Sequence, residues 1–294
     1  MCGIVGLFAK TPAVEQSLGA HFAAMLVEMT DRGPDSAGFA VYRHPAGAGA
    51  AKLTVRAGSD EYDWALLQTR LDAEATVHVY ANHAVVTAPG DADELRQRVL
   101  GHDPALAINS SGDTIEIFKE AGLPAQVIER FGVRSLTGTH ALGHTRMATE
   151  SAVTTGHSHP FSTGEDLCLV HNGSLSNHNR LRNTLRKRGI EFATDNDSEV
   201  AAGYLAWRLR NGDTLEQAIE HSFTDLDGFF TFAIGTRDGF AVVRDPIACK
   251  PAVIAECDDW VAMASEYRAI AVLPGSAHAQ CWEPEPARVY SWSH

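Results

Sequence analysis

Apolar positions run almost unbroken through residues 3–9 (GIVGLFA), the pattern of a strand buried on both faces. Residues 14–29 (VEQSLGAHFAAMLVEM) space their apolar side chains at helical intervals and predict a helix. A polar turn with two glycines and a proline follows at 30–38, then a short strand, FAVYR, at 39–43. Small residues at 44–51 read as a loop. From 52 to 110 the pattern sketches a unit of its own. LTVRAG is strand-like, 60–72 helical, VHVYANHAVVTA alternating, 91–100 helical and ALAIN strand-like, a β-α-β-α-β order. Residues 114–131 carry helix formers and predict one or two short helices, with Pro124 at a helix start.

Beyond 140 the apolar stretches are short and regularly punctuated. HALGHTR (140–146) predicts a strand, and DLCLVHNGS (166–174) a strand running into a glycine turn. Ser176-Asn177 is placed to cap a helix at 178–188, and Asp197 or Ser198 to cap one at 198–210. Asp213–Glu216 opens a third helix with a capping-box pattern. FFTFAIGT, GFAVVRD, PAVIAE, WVAMAS and ARVYSW then read as strands joined by tight turns. Two groups of strands with helices between them imply two sheets covered by helices, an α+β class.

Composition adds exclusions. The 294 residues are 45% hydrophobic and 21% charged, as in ordinary globular proteins. A net charge of −13 without a Lys/Arg cluster argues against nucleic acid and membrane surfaces as partners. No apolar run is long enough to span a bilayer, and the start lacks a basic n-region, so a cytoplasmic location is expected. Five cysteines, an odd number without a C-x-x-C pair, point to reduced thiols rather than a disulfide framework. His157, His159, His171 and His178 crowd together in sequence, but no carboxylate or second pair gives a recognised metal spacing, so no metal is expected. No glycine-rich phosphate loop is present either.

The candidate chemistry begins at Cys2. Removal of Met1 places its thiol beside a free α-amine, with ordinary pKa values of about 8.5 and about 8. That pairing is a nucleophile with a built-in base. Taken alone, Cys2 equally reads as a small residue entering a strand, and His-Asn-Gly at 171–173 as a simple turn.

Five fragments in order decide between these readings: MCGIVG (1–6), RGPDSAG (32–38), GHTRMAT (143–149), HNG (171–173) and NDSEV (196–200). Together with RDPIACKPAV (244–253) and MASEYRAI (263–270), they resemble the class II glutamine amidotransferases, whose glutaminase domain is an N-terminal-nucleophile hydrolase. The resemblance covers residues 1–45 and 135 to the end. It implies a four-layer αββα sandwich over residues 2–294, with 52–110 as an inserted small α/β subdomain. It also implies hydrolysis of L-glutamine to L-glutamate and ammonia through a Cys2 thioester. Asn172 and Gly173 match the oxyanion donors. Arg146 matches the arginine for the α-carboxylate, Asp197 the aspartate for the α-ammonium, and Thr149 a further substrate contact. Arg32 and Asp35 are expected to brace the loop around the N-terminus. Relatives carry Trp after the arginine and His-Gly after the threonine; here Met147 and Glu150-Ser151 stand there, which bears on substrate choice.

GHTRMATESAVTT, HPFSTG and LVHNGSLSNHN are similar to free-standing glutamate-synthase-type subunits, such as the amidotransferase-like subunit of N-methylglutamate synthase. That implies synthase partner subunits in a hetero-oligomer, with flavin and iron–sulfur clusters on those chains and no cofactor on this one. Transfer to another γ-glutamyl acceptor and a non-catalytic scaffold are the rival expectations. The 52–110 segment is either a solvated decoration or a docking surface for the partner.

Overall fold

The computed structural model describes residues 2–147 and 153–294. Strand β1 (Gly3–Ala9) leads into helix α1 (Pro12–Glu28), with proline at its first turn where no amide partner is needed. Strand β2 (Ser36–Tyr42) follows. It starts earlier than the sequence pattern predicts, because Ser36, Ala37 and Gly38 are small enough to pair between two neighbouring strands.

Residues 50–112 hold β3 (Ala50–Arg56), α2 (Trp64–Arg70), β4 (Thr76–Tyr80), β5 (His83–Pro89), α3 (Ala92–His102) and β6 (Ala107–Gly112). The two helices are capped by Asp63 and Asp91, whose side chains accept from Leu66 N and Glu94 N. The order is β-α-β-β-α-β, one strand more than the expected β-α-β-α-β. The extra strand arises because Ala81, at φ +52°, reverses the chain inside VHVYANHAVVTA. The four strands lie in the order β4-β5-β3-β6, all antiparallel, a split βαβ arrangement. They enclose their own apolar cluster, including Leu53, Val55, Leu67, Val86, Leu95 and Val99.

The chain then forms β7 (Ile115–Ala121), α4 (Pro124–Arg130) and β8 (His140–Arg146). Helix α4 begins at Pro124 as expected, but Ile115–Ala121 is a strand where the pattern predicts helix. Its Glu, Lys and Ala favour helix; pairing with β2 along seven residues, from Ile115↔Tyr42 to Ala121↔Ser36, overrides that preference. The remaining elements are β9 (Phe161–Gly164), β10 (Leu167–Leu175), α5 (His178–Arg186), α6 (Asp197–Arg210), α7 (Leu215–Asp225), β11 (Gly228–Thr236), β12 (Gly239–Arg244), β13 (Val253–Glu256), β14 (Trp260–Ala264), α8 (Tyr267–Ala271), β15 (Gln280–Trp282) and β16 (Val289–Ser293).

Two sheets stack in the main body: β15-β13-β14-β1-β8-β2-β7 and β16-β12-β11-β10-β9. Period-two alternation sorts each strand's side chains between two layers. Ile4 and Phe8 point between the sheets with Cys168, Val170, Phe240 and Val242. Val5 and Leu7 face α1, packing with Phe22, Leu26 and Phe39. On the far side, Leu169 and Phe232 pack with Leu185 and Leu205 of the α5–α6 layer. The result is an αββα sandwich, the architecture expected from the sequence. Each fully buried aliphatic or aromatic side chain contributes about 1.5–3 kcal/mol of transfer free energy.

The 50–112 unit is tied to this body by buried charge. Lys52 Nζ donates to Glu116 Oε1 at 3.2 Å and to the carbonyls of Arg43 and His44, while Arg43 Nε reaches Glu116 Oε2 at 2.9 Å. Among the described residues no helix is long and apolar enough to cross a membrane.

Candidate active site

Strand β1 lies in the middle of the seven-stranded sheet, between β14 and β8. Its N-terminal end therefore opens beside the C-terminal end of β8. Gly3 pairs with Thr145, and Arg146 closes the strand one position on, opposite Ser36 of β2. Cys2 thus emerges at the rim of the central strand, half-buried, over the gap between the sheets.

Two side chains grip its backbone carbonyl. Arg32 Nε donates to the Cys2 carbonyl at 3.0 Å, and Arg32 Nη1 is held by Glu266 Oε1 at 2.6 Å. Asn172 Nδ2, from β10 in the facing sheet, donates to the same carbonyl at 3.1 Å and to Ser265 Oγ at 3.2 Å. Ser265 Oγ in turn accepts from Ile4 N at 2.9 Å. Asp35 N donates to the Arg146 carbonyl at 3.1 Å, fastening the 30–36 turn to the end of β8. Arg32, Asp35, Arg146, Asn172 and Cys2 are therefore brought together. Thr149 and Glu150 lie outside the described residues.

The strand β10 does not turn at Asn172-Gly173. It continues to Leu175, paired with β11 throughout, so the expected glycine turn is absent. Glycine is needed for another reason: at φ +154° a Cβ on Gly173 would sit 2.0 Å from the Phe229 carbonyl oxygen. Opposite Gly173, Phe230 spends both its N–H and its C=O on Asp245. The Gly173 amide therefore points away from β11, toward the edge that β9 pairs only as far as Leu169.

Asp197 opens α6, but it does not cap it. Asn196 is the N-cap, accepting from Ser198 N at 2.8 Å. Asp197 Oδ2 instead accepts from Leu175 N at 2.9 Å, tying the helix start to the end of β10. His171 Nδ1 and Ser198 Oγ, 2.8 Å apart, add a second tie. Burial pulls the His171 ring down to about 4, against the opposing charge of Asp197. On the next helix, Thr214 caps α7 with Gln217 as its reciprocal partner, one residue past the expected Glu216.

Burial alone would raise the Cys2 thiol. Interaction with His144, then the Met147 backbone, more than offset it and bring the thiol down from 9.0 to about 7. A thiol there is substantially thiolate at neutral pH. His144, Ser265 and Glu266 were inside recognised motifs but carry no signal of a role in the sequence. Their contacts with Asn172, Ile4 and Arg32 join positions 28 to 261 residues apart.

A family model described as a glutamine amidotransferase domain matches residues 144–272. Glutamine amidotransferase-like protein GlxB of Rhizobium meliloti is 54% identical over 298 aligned residues, covering 100% of this chain and 99% of that protein. The chain belongs to the glutamine amidotransferase family. In fold it is similar to the allosteric regulatory enzyme of purine biosynthesis, with TM-score 0.61 and 21% identity over 99% of this chain and 47% of that one. The B. subtilis glutamine phosphoribosylpyrophosphate amidotransferase gives TM-score 0.57 and 22% identity over 99% of this chain and 49% of that one. This chain thus spans about half the length of those two structures. The fold is shared with these amidotransferases, and this family member is an amidotransferase enzyme.

Proposed function

We propose that this amidotransferase is the glutaminase subunit of a larger synthase, releasing ammonia from L-glutamine at Cys2. The observation that carries the reading is the Asn172 side chain, held 3.1 Å from the Cys2 carbonyl with the Gly173 amide directed off the paired edge of β10. An acyl-transfer site needs a nucleophile beside preorganised donors, and one such donor typically contributes about 10²–10³ in rate.

In this reading Met1 is removed. The Cys2 sulfur attacks the amide carbon, and the carbonyl oxygen becomes an oxyanion. That oxyanion competes with Ser265 Oγ for one hydrogen of Asn172 and takes the Gly173 N–H. The thiol proton ends on the departing ammonia, and water then hydrolyses the thioester to glutamate. Arg146 supplies a planar fork for the α-carboxylate, and Asp197 a carboxylate for the α-ammonium. Ammonia passes to an acceptor site on a partner chain. The resemblance to glutamate-synthase-type subunits points to partners bearing flavin and iron–sulfur clusters.

Glutamate released from glutamine by the purified chain is measured, alone and with co-purified partners, against Cys2→Ala. Release lost in the variant supports the reading; no release from the native protein under either condition overturns it. Intact mass of the active preparation reads whether Met1 is gone.

A further inference from the structure

We infer that Ser265 is a positioning residue that acts through Asn172: its hydroxyl oxygen holds the second hydrogen of the Asn172 amide and yields it only when charge develops on a substrate oxygen. Asn172 enters here as the oxyanion donor of the glutaminase reading, on which this role of Ser265 rests.

The place of Ser265 follows from where β14 ends. Val5 still pairs with Ala264, and the Ser265 amide donates to the Ile4 carbonyl at 2.9 Å. In a regular antiparallel ladder Ile4 N would return its hydrogen to a backbone carbonyl of the same partner. It donates instead to Ser265 Oγ at 2.9 Å, and the chain turns off into α8 with Glu266 at the N-cap. The hydroxyl thus stands in for a backbone acceptor at the end of the central strand. From there the same oxygen reaches the facing sheet and accepts from Asn172 Nδ2 at 3.2 Å.

A side-chain amide nitrogen carries two hydrogens. Those of Asn172 have two acceptors, the Cys2 carbonyl at 3.1 Å and Ser265 Oγ at 3.2 Å. A carbonyl only accepts, so the contact with Cys2 settles which end of the amide is nitrogen. Both hydrogens are spent, and Asn172 and Ser265 are only 4% and 2% exposed. An oxyanion must therefore take a hydrogen from an existing partner. Losing the Cys2 carbonyl would free the amide to swing away from the nucleophile's own residue. Losing Ser265 Oγ leaves that anchor in place, and the hydroxyl keeps Ile4 N.

Charge sets the timing. The carbonyl oxygen of a bound amide is neutral, like the hydroxyl oxygen it would replace, so the exchange brings no gain in the ground state. As the S–C bond forms, the C=O electron pair moves onto oxygen, and a charged acceptor makes a hydrogen bond roughly twice as strong. One hydrogen bond then changes acceptor, and no covalent bond is made or broken at Ser265. A contact given up only in the transition state slows the chemical step and leaves substrate binding alone.

The test is steady-state glutamate release by the full chain, alone and with co-purified partners. In Ser265→Ala the second hydrogen is free to meet the oxyanion. The expected kcat is about two- to tenfold higher, the share of one net hydrogen bond, with KM unchanged. Loosening of the strand alone would lower kcat, so a rise separates this role from a structural one. Ser265→Cys fills the same place with a weak acceptor. It is expected to change in the same direction, and it carries the test if the alanine variant does not fold. Because Ile4 N loses its acceptor in Ser265→Ala and keeps only a weak one in Ser265→Cys, kcat is divided by the rate of Cys2 alkylation with iodoacetamide, a reaction that needs no oxyanion donor. A normalised kcat that is unchanged or lower in the folded variants overturns the inference, as does a gain confined to KM. Proton resonances of the Asn172 side-chain amide in the native chain give a readout without turnover. Both must lie downfield of a free amide pair, and a single shifted proton overturns the inference. Two committed protons without glutamine turnover in any form leave the inference standing and remove the glutaminase reading; turnover that the variants do not raise does the reverse.

Discussion

Glu266 holds Arg32: its Oε1 lies 2.6 Å from Nη1, and Arg32 Nε then reaches the Cys2 carbonyl. The guanidinium pulls the Glu266 carboxyl below its ordinary value. A depressed carboxylate contributes stability above the unfolded value and loses it as pH falls through the folded one. Glu266 is only partly shielded, so the energetic share is small, under about 1 kcal/mol. The positional share is larger. Glu266→Ala is expected to lower glutaminase turnover about tenfold while leaving the unfolding midpoint nearly unchanged, measured by steady-state glutamate release beside urea denaturation.

Gly173→Ala is expected to be disruptive rather than mild. The added methyl would meet the Phe229 carbonyl and the backbone already sits at φ +154°. Unfolding in urea should show a loss of ~2–4 kcal/mol, and the surviving folded protein should lose activity with it.

Asp166 gathers the turn after β6. Its Oδ1 accepts from Thr114 N at 2.8 Å and Ile115 N at 2.9 Å, and its Oδ2 from Asp113 N at 2.8 Å. Its own φ is +48°, a conformation Asn tolerates and Ala resists. Asp166→Asn is expected to cost about 1–2 kcal/mol and Asp166→Ala about 3 kcal/mol or more. Equal losses in the two variants, by chemical denaturation, would contradict this account.

Lys119 is fully enclosed, and burial pulls its ammonium down to about 7. Its Nζ donates to the Ser158 carbonyl at 3.0 Å, with Phe161 below it. The sign follows from proton counts. Between about pH 7 and the ordinary lysine value of 10.5, the unfolded chain binds a proton that the folded chain does not, so stability rises with pH across that window. In Lys119→Met that rise should be less steep by up to one proton, as measured from unfolding free energies at several pH values.

The parts of this fold that could be read in advance are those where local pattern and tertiary setting agree. GIVGLFA is apolar throughout because β1 is central and both its faces are covered. The start of α4 was legible through Pro124, and that of α7 to within one residue through the Asp213–Glu216 pattern. Ile115–Ala121 was not, since its Glu, Lys and Ala favour helix and pairing with the neighbouring β2 makes it a strand. Asn172-Gly173 misled for the opposite reason: a strong turn pair is held straight by eight paired positions with β11. In the site, the order of motifs singled out Cys2, Arg146 and Asn172, and the structure sets these residues together at the ends of β1 and β8 and on β10. The contacts of His144 with Asn172 and the His171 carbonyl could not be announced, because they join β8 to β10 across two sheets.

The way the chain leaves and re-enters the main body carries a consequence for excision. Ala46 N donates to the Asp113 carbonyl at 3.0 Å, so the two ends of the intervening stretch are already in contact. Splicing residue 46 to 113 would demand almost no reach from the backbone. The obstacle lies underneath, in the polar seam: Glu116 would lose Lys52, and the Ile117 amide would lose Thr54 Oγ1. A shortened chain keeps the Arg43–Glu116 pair, and it needs a new acceptor for that amide before it needs any redesign of the splice itself.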